Sequence, residues 1–166
     1  TVEDLIRVPQ GQLNIVRRGI GWAELMKEKF GTKYLRYLYY YYGVDGTEKF
    51  FLDVAKQLDL EEKARPVIDK EKKCVLEKLK EYQVFFRKKS YALVTQGFFY
   101  TPSLINIYAR DYQIPLKYVC VEMRWLRGNN ITPETADLML DNIKEALQKW
   151  EIGAELIIDP TVSELR

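Results

Sequence analysis

Two arginines stand where a predicted strand ends and a predicted helix begins. Arg17 and Arg18 follow an apolar strand at residues 12–16, and Gly19 makes the turn into the helix. Such a loop faces the free N–H groups and the positive dipole end of the next helix, so α/β proteins often place anion contacts there. The alternative is two solvated arginines that pair with local carboxylates. The glycine is not part of a GxGxxG phosphate-binding pattern.

A second loop, residues 96–101, combines a glycine with aromatic side chains. Gly97 breaks the preceding strand, because glycine tolerates backbone angles that other residues avoid. Phe98, Phe99 and Tyr100 could wall an apolar pocket or a partner interface. They could equally cover the core beneath the loop, and the residue types alone do not decide between these uses.

Glu122 and Arg124 follow the second strand of the same predicted unit. A carboxylate and a guanidinium at that place could orient a ligand. The two side chains could equally pair with each other or with a neighbouring subunit.

The residue types that build most metal sites and nucleophilic triads are scarce. The chain has no histidine, so no Ser/His/Asp or Cys/His set is possible. Cys74 and Cys120 have no workable spacing for a cluster of soft ligands, and both are predicted to be small buried apolar residues. The tyrosines at 39–42 are predicted to be strand residues on alternating faces. A complete active site within this chain is therefore not expected, and neither is a metal site.

The composition narrows the class of protein. The 26 basic and 24 acidic residues give a net charge of +2, with both signs mixed along the chain, which argues against a nucleic-acid binder. The hydrophobic fraction of 47% is enough for a sizeable core. Because no apolar run approaches the roughly 20 residues of a membrane span, we expect a cytoplasmic protein with no membrane contact.

A βαβ unit would position the loops at residues 96–101 and 122–127. Its first strand is a β-branched run at 91–95, and its second is an apolar run at 116–121, as expected for a parallel strand covered on both faces. Thr101-Pro102 predicts the helix start, with a capping hydroxyl followed by a proline that has no N–H to satisfy. A βαβ unit places its ligand-facing loops at the carboxyl ends of its strands.

The remaining elements continue the alternation of strand and covering helix. They are a strand at 12–16, a helix at 20–30 ended by Gly31, a strand at 33–42, a turn at 43–47, a helix at 48–58, a long charged helix at 60–87, a helix at 133–150 begun by Thr132-Pro133, and a strand at 155–158. The predicted fold is α/β, with a Rossmann-like parallel sheet flanked by helices and one long charged connecting helix.

We divide the chain into a βαβα segment at 1–59, the connecting helix at 60–88, and a second Rossmann-like βαβαβ segment at 89–166 that is truncated at its C-terminus. The start at Thr1 and the incomplete last βα repeat predict a piece of a longer protein. Whether the two strand-containing segments form one sheet or two is open at this point.

Three stretches of the first half resemble a known family. They are Pro9-x-x-x-Leu13-Asn14-Ile15-Val16, the helix end Met26-Lys27-Glu28-Lys29-Phe30-Gly31, and Tyr42-Gly43-Val44-Asp45-Gly46-Thr47 at a helix start. In this order they resemble component 1 of nitrogenase, the α subunit of the molybdenum–iron protein and its nitrogenase-like relatives. The later strands match the family in looser form. The resemblance covers nearly all of this chain, but only a middle portion of a full family subunit.

The resemblance implies an oxidoreductase fragment that works only within its parent. Electrons would arrive from an ATP-dependent iron–sulfur reductase and pass through an iron–sulfur or related metal cluster, held elsewhere in the parent, to a bound substrate. The partners would be that reductase and a sister component 1 subunit. In that picture Arg17, Arg18, Gly97, Tyr100 and Glu122 would face the substrate or cofactor cavity. The fragment alone would be inactive and would hold no cofactor.

The sequence also departs from the family pattern. Arg17 and Arg18 occupy the place where the resemblance leads one to expect a cofactor-binding cysteine. The parent therefore resembles a nitrogenase-like oxidoreductase or a cofactor-assembly relative more than a dinitrogen reductase. Two alternatives stay open, namely a non-enzymatic α/β module that binds a ligand or partner, and a scaffold that holds a cofactor precursor during assembly.

Overall fold

The computed structural model describes residues 7–17, 19–37, 41–95, 100–124 and 132–161. The chain divides into two compact units. The first comprises Thr1–Tyr41 and Asp45–Lys73, and the second comprises Tyr42–Val44 and Cys74–Arg166. The predicted segment boundaries near residues 59 and 89 stay predictions.

A parallel strand pair joined by one helix forms the first unit. Strand β1 (Leu13–Val16) pairs with β2 (Lys33–Arg36), and helix α1 (Ile20–Phe30) makes the crossover between them. Gly31 ends the helix in the left-handed region, at φ 71°, and its N–H donates to the carbonyl oxygen of Lys27. The predicted helix and its glycine end are confirmed.

The second strand is shorter than predicted. The predicted strand at 33–42 ends at Arg36, because its partner β1 has only four residues. The Tyr37 N–H donates to the carbonyl oxygen of Val16, the last residue of β1, at 2.8 Å. Tyr41 and Tyr42 lie outside any strand, so their prediction as strand residues is wrong, and residues 39 and 40 lie outside the described ranges.

Helix α2 (Gly43–Gln57) begins earlier than predicted, because the predicted turn at 43–47 is its first turn. Gly43 has φ 79°, and the carboxylate of Asp111 accepts a hydrogen bond from the Val44 N–H at 2.8 Å. That carboxylate satisfies one of the free N–H groups that every helix start presents. The cap is 67 residues away in sequence, so local sequence pattern does not reveal it.

Helix α3 (Glu61–Phe86) confirms the predicted long charged helix, with 26 residues and Pro66 inside it. Leu79 is buried on this helix, whereas Cys74 is exposed. The prediction that Cys74 is buried is therefore wrong, because helical spacing does not say which face of a helix packs. Cys120 is buried, as predicted.

Three parallel strands in the order β3-β4-β5 form the sheet of the second unit. Its elements are β3 (Tyr91–Thr95), helix α4 (Thr101–Asn106) with a π-helical turn at Ile107–Asp111, β4 (Leu116–Val121), helix α5 (Pro133–Lys149) and β5 (Glu155–Ile158). Strand β4 pairs on both edges, and Val119, Cys120 and Val121 are buried on it. This confirms the prediction of a parallel strand covered on both faces.

The core of the second unit joins β3 and β4 to the two covering helices. It consists of Leu93, Ile105, Leu116, Val119, Val121, Met139, Ile143, Ala146 and Leu147. Within the described residues the strands thus form two parallel sheets, one in each unit. The predicted α/β class, with parallel sheets flanked by helices, is confirmed. No described helix has the length and apolar character needed to cross a bilayer.

The two Thr-Pro helix starts behave differently. Thr132 caps α5 as predicted, because its hydroxyl oxygen accepts a hydrogen bond from the Thr135 N–H at 3.3 Å. Thr101 does not cap α4, since it lies one residue inside the helix and is fully buried. Its hydroxyl donates to the hydroxyl oxygen of Thr95 at 3.3 Å, which ties the end of β3 to the start of α4.

Candidate functional site

The carboxyl edge of the three-stranded sheet is held by backbone bonds that run past the strand ends. The Glu122 N–H donates to the carbonyl oxygen of Thr95 at 3.1 Å. The Asp159 N–H donates to the carbonyl oxygen of Val121 at 2.9 Å. Glu122 and Asp159, which directly follow β4 and β5, are therefore fixed beside the last residues of β3 and β4, at the edge where open α/β sheets place their ligands.

Asp159 organises the turn that follows β4. Its backbone is in the left-handed region, at φ 50°, which aspartate tolerates better than most residues. In this conformation its Oδ1 accepts hydrogen bonds from the Met123 N–H and from the Arg124 N–H, the latter at 2.9 Å. Charge-assisted bonds of this kind are stronger than neutral ones. The clamp fixes the backbone that carries the predicted pair Glu122 and Arg124.

Glu122 and Arg124 pair with each other, which is one of the alternatives that the sequence left open. The Arg124 Nε lies 3.7 Å from Glu122 Oε1, and the two side chains are 63% and 34% exposed, respectively. A partly exposed pair at this distance is weak. It orients the carboxylate without consuming its remaining hydrogen-bonding capacity.

Tyr100 is half-buried at the start of α4, after the loop that follows β3. Its ring packs edge-on against Tyr42, with the centroids 6.1 Å apart. Tyr100 and Glu122 thus follow adjacent strands at one edge of the sheet. Gly97 and Arg18 lie outside the described residues, and Arg17 is exposed after β1 in the first unit.

Two aspartates with structural importance were missed by sequence reasoning. Asp159 directly follows the predicted strand at 155–158, and an aspartate at such a place, which tolerates the left-handed region, is the signal that could have pointed to a clamp. Asp111 gave no signal, although it is almost fully buried on the π-helical turn, a conformation common at functional sites. Its Oδ1 accepts from the Arg110 Nε at 2.6 Å, and its carbonyl oxygen accepts from the Gln83 side chain at 2.8 Å.

A cavity of about 370 Å³ lies in the first unit, at the amino ends of β1 and β2. It is lined by Pro9, Gly11, Gln12, Phe30, Gly31, Thr32, Lys33, Gln57, Leu58 and Asp59. The Lys33 ammonium donates to the carbonyl oxygen of Gln57 at 2.7 Å and lies 3.6 Å from the Asp59 carboxylate. None of the predicted site residues lines this cavity, which is at the opposite end of the strands from their ligand-facing edge.

In the first unit, two clusters of charged side chains each shift the pKa of one residue. The Lys72 ammonium lies 2.7 Å from Glu48 and 2.9 Å from Asp45, and its hydrogen bonds to these carboxylates raise the pKa of Lys72. Burial would raise the pKa of Asp53, but hydrogen bonds from Tyr41 and Lys49 outweigh it and lower that pKa below its ordinary value. Both clusters connect side chains of the first unit and explain local stability rather than ligand binding.

The residues present do not fit an iron–sulfur cluster. Such clusters are usually held by four cysteine thiolates, and this sequence contains two cysteines and no histidine. Cys74 is on helix α3 and Cys120 is inside strand β4. The part of the chain that the structure describes also contains no group of three His, Cys, Asp or Glu side chains that could hold a metal ion.

Residues 1–124 of the 166 match the sequence model of one family, described as nitrogenase component 1 type oxidoreductase. The chain belongs to this family. The match confirms the predicted resemblance and includes both units' first strands, the long helix α3 and strand β4. All five candidate site residues lie within the region that matches the family, whereas Asp159 lies beyond it.

The chain is also similar to the solved structure of "Nitrogenase Cp1 at pH 6.5", with 16% sequence identity and a TM-score of 0.49. That similarity covers 95% of this component 1 type chain and 38% of the solved chain. The chain therefore spans well under half the length of the solved structure it matches. No curated protein matches it in sequence.

Proposed function

We propose that this chain is part of a nitrogenase component 1-like oxidoreductase subunit. The parent would accept electrons from an ATP-dependent iron–sulfur reductase and pass them through a metal cluster to a bound substrate, in the cytoplasm and together with a sister component 1 subunit. The observation that carries the proposal is the family match over residues 1–124.

The cluster of this proposal is held by other parts of the parent. The chain has two cysteines, one on helix α3 and one inside strand β4, where an iron–sulfur cluster usually needs four thiolates. The chain's own role is therefore to shape and line a cavity, and no ligand of the cluster is assigned to it.

We further propose that the carboxyl edge of the β3-β4-β5 sheet contributes to the wall of that cavity. Tyr100 would offer a phenolic donor and Glu122 an acceptor for a polar group of the substrate or cofactor. The Asp159 clamp supports this use, because it holds the Glu122 turn in one conformation before anything binds. Arg17, Arg18 and Gly97 are the other proposed cavity-facing residues.

The test uses the complete complex, purified anaerobically, with Glu122→Gln and Tyr100→Phe variants. We expect the complex to contain iron, and we expect the Glu122 variant to keep that iron while its reductase- and ATP-dependent turnover falls about tenfold or more. Glu145→Gln, an exposed change on α5, is the matched control and should leave turnover unchanged.

Three outcomes would count against the proposal in different ways. A complex without iron would contradict the redox function itself. A complex that transfers its cluster to another protein but never turns over a substrate would favour the assembly scaffold. Normal turnover by both variants would contradict only the assignment of the sheet edge to the cavity.

A further inference from the structure

The carboxylate of Asp111 is held in one place by hydrogen bonds on several sides. Its side chain is 4% exposed, and its Oδ1 accepts a hydrogen bond from the Arg110 Nε at 2.6 Å. The backbone carbonyl oxygen of the same residue accepts one from the Gln83 side chain at 2.8 Å. Buried charged groups persist where they are paired and hydrogen-bonded. The second carboxylate oxygen, Oδ2, therefore has a fixed position from which it can hold another group.

That group is the backbone at the start of helix α2. The Val44 N–H donates to Asp111 Oδ2 at 2.8 Å. A Cβ placed on Gly43 would lie 2.7 Å from the same oxygen, so glycine allows the chain to pass this close to the carboxylate. Tyr42–Val44 belong to the second unit, as Asp111 does, so these contacts lie within one unit.

The residue before this glycine continues the series of contacts to the edge of the sheet. The Tyr42 ring packs edge-on against the Tyr100 ring, with the centroids 6.1 Å apart, and both residues are partly buried. The carbonyl oxygen of Tyr100 accepts a hydrogen bond from the Leu104 N–H at 2.8 Å, so the first turn of α4 fixes the backbone of Tyr100. Ring contacts such as the one to Tyr42 set the direction of the phenol.

We propose that Asp111 is a positioning residue for Tyr100. By holding the backbone of Gly43 and Val44 it places the Tyr42 ring, and this ring orients the Tyr100 phenol at the carboxyl edge of the β3-β4-β5 sheet. The use of that phenol, as a donor to a polar group in the cavity, rests on the proposed function, whereas its orientation does not. A phenol that is ordered in advance loses less conformational entropy when something binds.

A role limited to capping helix α2 explains less of this geometry. A cap needs one acceptor, and a serine, threonine or asparagine beside the helix start commonly supplies it. Here the acceptor is 67 residues away and also packs against Gly43, so it fixes the path of the backbone as well as one N–H group. It lies on the π-helical turn Ile107–Asp111, a conformation that is common at functional sites.

The first test observes the Tyr100 ring directly. 3-Fluorotyrosine incorporated in place of Tyr100 gives a fluorine resonance whose chemical shift reports the surroundings of this one ring. We expect the shift in the folded chain to be well separated from that of the chain unfolded in urea. Asp111→Ala and Tyr42→Ala should each move it toward the unfolded value, although they act at opposite ends of the series of contacts. Tyr42→Phe keeps the ring and is the matched control.

A core truncation separates positioning from a general loss of stability. Ile143→Val shortens a fully buried side chain of α5, outside the series of contacts from Asp111 to Tyr100. It should leave the fluorine shift unchanged wherever circular dichroism shows the variant to be folded. Asp111→Asn keeps an oxygen for the Val44 N–H but replaces the other oxygen by a donor, so its shift should be intermediate. This variant and Tyr42→Ala keep the test decisive if Asp111→Ala does not fold.

Turnover of the complete complex is the second readout. Asp111→Ala should lower reductase-dependent turnover about tenfold, because displacement of a contacting group is costly even when the change is remote. In the Tyr100→Phe background the same change should lower turnover no further, because both changes act through one phenol. Losses that multiply in the double variant would contradict the positioning role.

The fluorine measurement decides the proposal without any iron or turnover. An unchanged shift in folded Asp111→Ala or Tyr42→Ala would overturn it, and so would an Ile143→Val variant that moves the shift as far. If both alanine variants move the shift while Tyr100→Phe turns over normally, Asp111 does position Tyr100. In that case the part of the proposed function that fails is the assignment of Tyr100 to the cavity.

Discussion

The two units of the chain bury their apolar side chains to different extents. In the second unit, strand β4 pairs on both edges, and nine buried residues form one continuous core beneath α4 and α5. Among the described residues of the first unit, the sheet has two strands, and the buried hydrophobic residues are Val16, Ala23, Met26, Tyr41 and Ala55. A third strand widens the sheet, so more apolar side chains can pack beneath the covering helices than a strand pair allows.

The first unit also leaves large side chains in contact with water. These are Ile15, Ile20, Trp22, Leu25, Phe30, Phe51, Leu60 and Val67. The described part of the second unit leaves as many large side chains exposed, namely Val75, Leu76, Tyr82, Val84, Phe85, Val94, Leu138 and Ile158. The two units therefore differ in the extent of their buried cores rather than in the number of their exposed apolar side chains.

The largest expected effect comes from a cavity in the core of the second unit. Ile143 is 0% exposed on α5, so Ile143→Ala should lower the free energy of unfolding by about 2–5 kcal/mol. Leu25→Ala in the first unit removes a side chain that is 44% exposed and should cost about 1 kcal/mol or less. Urea denaturation of both variants checks the comparison, and equal losses would refute it.

A glycine substitution tests the cap that Asp111 provides at the start of helix α2. A Cβ at Gly43 would lie 2.7 Å from Asp111 Oδ2 and 2.8 Å from Ile107 Cγ1, and φ is 79°. Gly43→Ala should therefore destabilise the second unit by about 1–3 kcal/mol. Gly21→Ala is the control, because a Cβ there has no neighbour within 4 Å, and a gain of about 0.5 kcal/mol is expected. Thermal unfolding of both variants measures whether each change raises or lowers the stability. A Gly43→Ala variant that is more stable than the unmodified chain would show that the Asp111 cap is absent.

Removal of the Asp159 carboxylate should loosen the edge of the larger sheet. Asp159→Ala takes away the acceptor of the Met123 and Arg124 N–H groups and should cost about 1–3 kcal/mol. Asp159→Asn keeps an acceptor and a side chain suited to positive φ, so it should cost less. Hydrogen exchange of these two amides measures the change, and unaltered protection in the alanine variant would contradict the role of the clamp.

The smallest effect is a pH dependence in the first unit. Because the pKa of Asp53 is lowered in the folded state, its contribution to stability is present above its unfolded value near 3.8 and is lost as the pH falls through the folded pKa. Near pH 6 the unmodified chain should therefore be more stable than Asp53→Asn, and this difference in the free energy of unfolding should vanish in acid. Melting temperatures from about pH 7 to pH 2 provide the measurement. A difference that grows in acid would have the wrong sign.

Local signals predicted much of the fold, and contacts between distant residues account for the rest. Thr132 caps its helix as predicted because the cap needs only residues 132–135. Thr101 has the same local pattern, but burial beside Thr95 recruits its hydroxyl to another bond. The tyrosine run after β2 has strong strand preference, yet it cannot extend a ladder whose partner strand has ended.

The candidate site was predictable to the extent that it follows from the order of strands and helices. Glu122 lies at the predicted sheet edge because it directly follows β4, and Tyr100 lies there because it directly precedes α4. The hydrogen bonds from Val44 to Asp111 and from Met123 to Asp159 join residues that are 67 and 36 positions apart, and no spacing rule in a single sequence pairs them. The predicted cavity-facing roles of Arg17, Arg18, Gly97, Tyr100 and Glu122 stay predictions.

The position of strand β5 has a practical consequence for anyone who shortens this chain. The family match ends at residue 124, and β5 and Asp159 come later. A polypeptide cut at that point would keep β4 but lose the strand that pairs with one of its edges, together with the acceptor for two amides. The most buried of the described strands would become an open edge, and such edges recruit other chains into aggregates. Expression trials based on the matched region should therefore extend at least through residue 161.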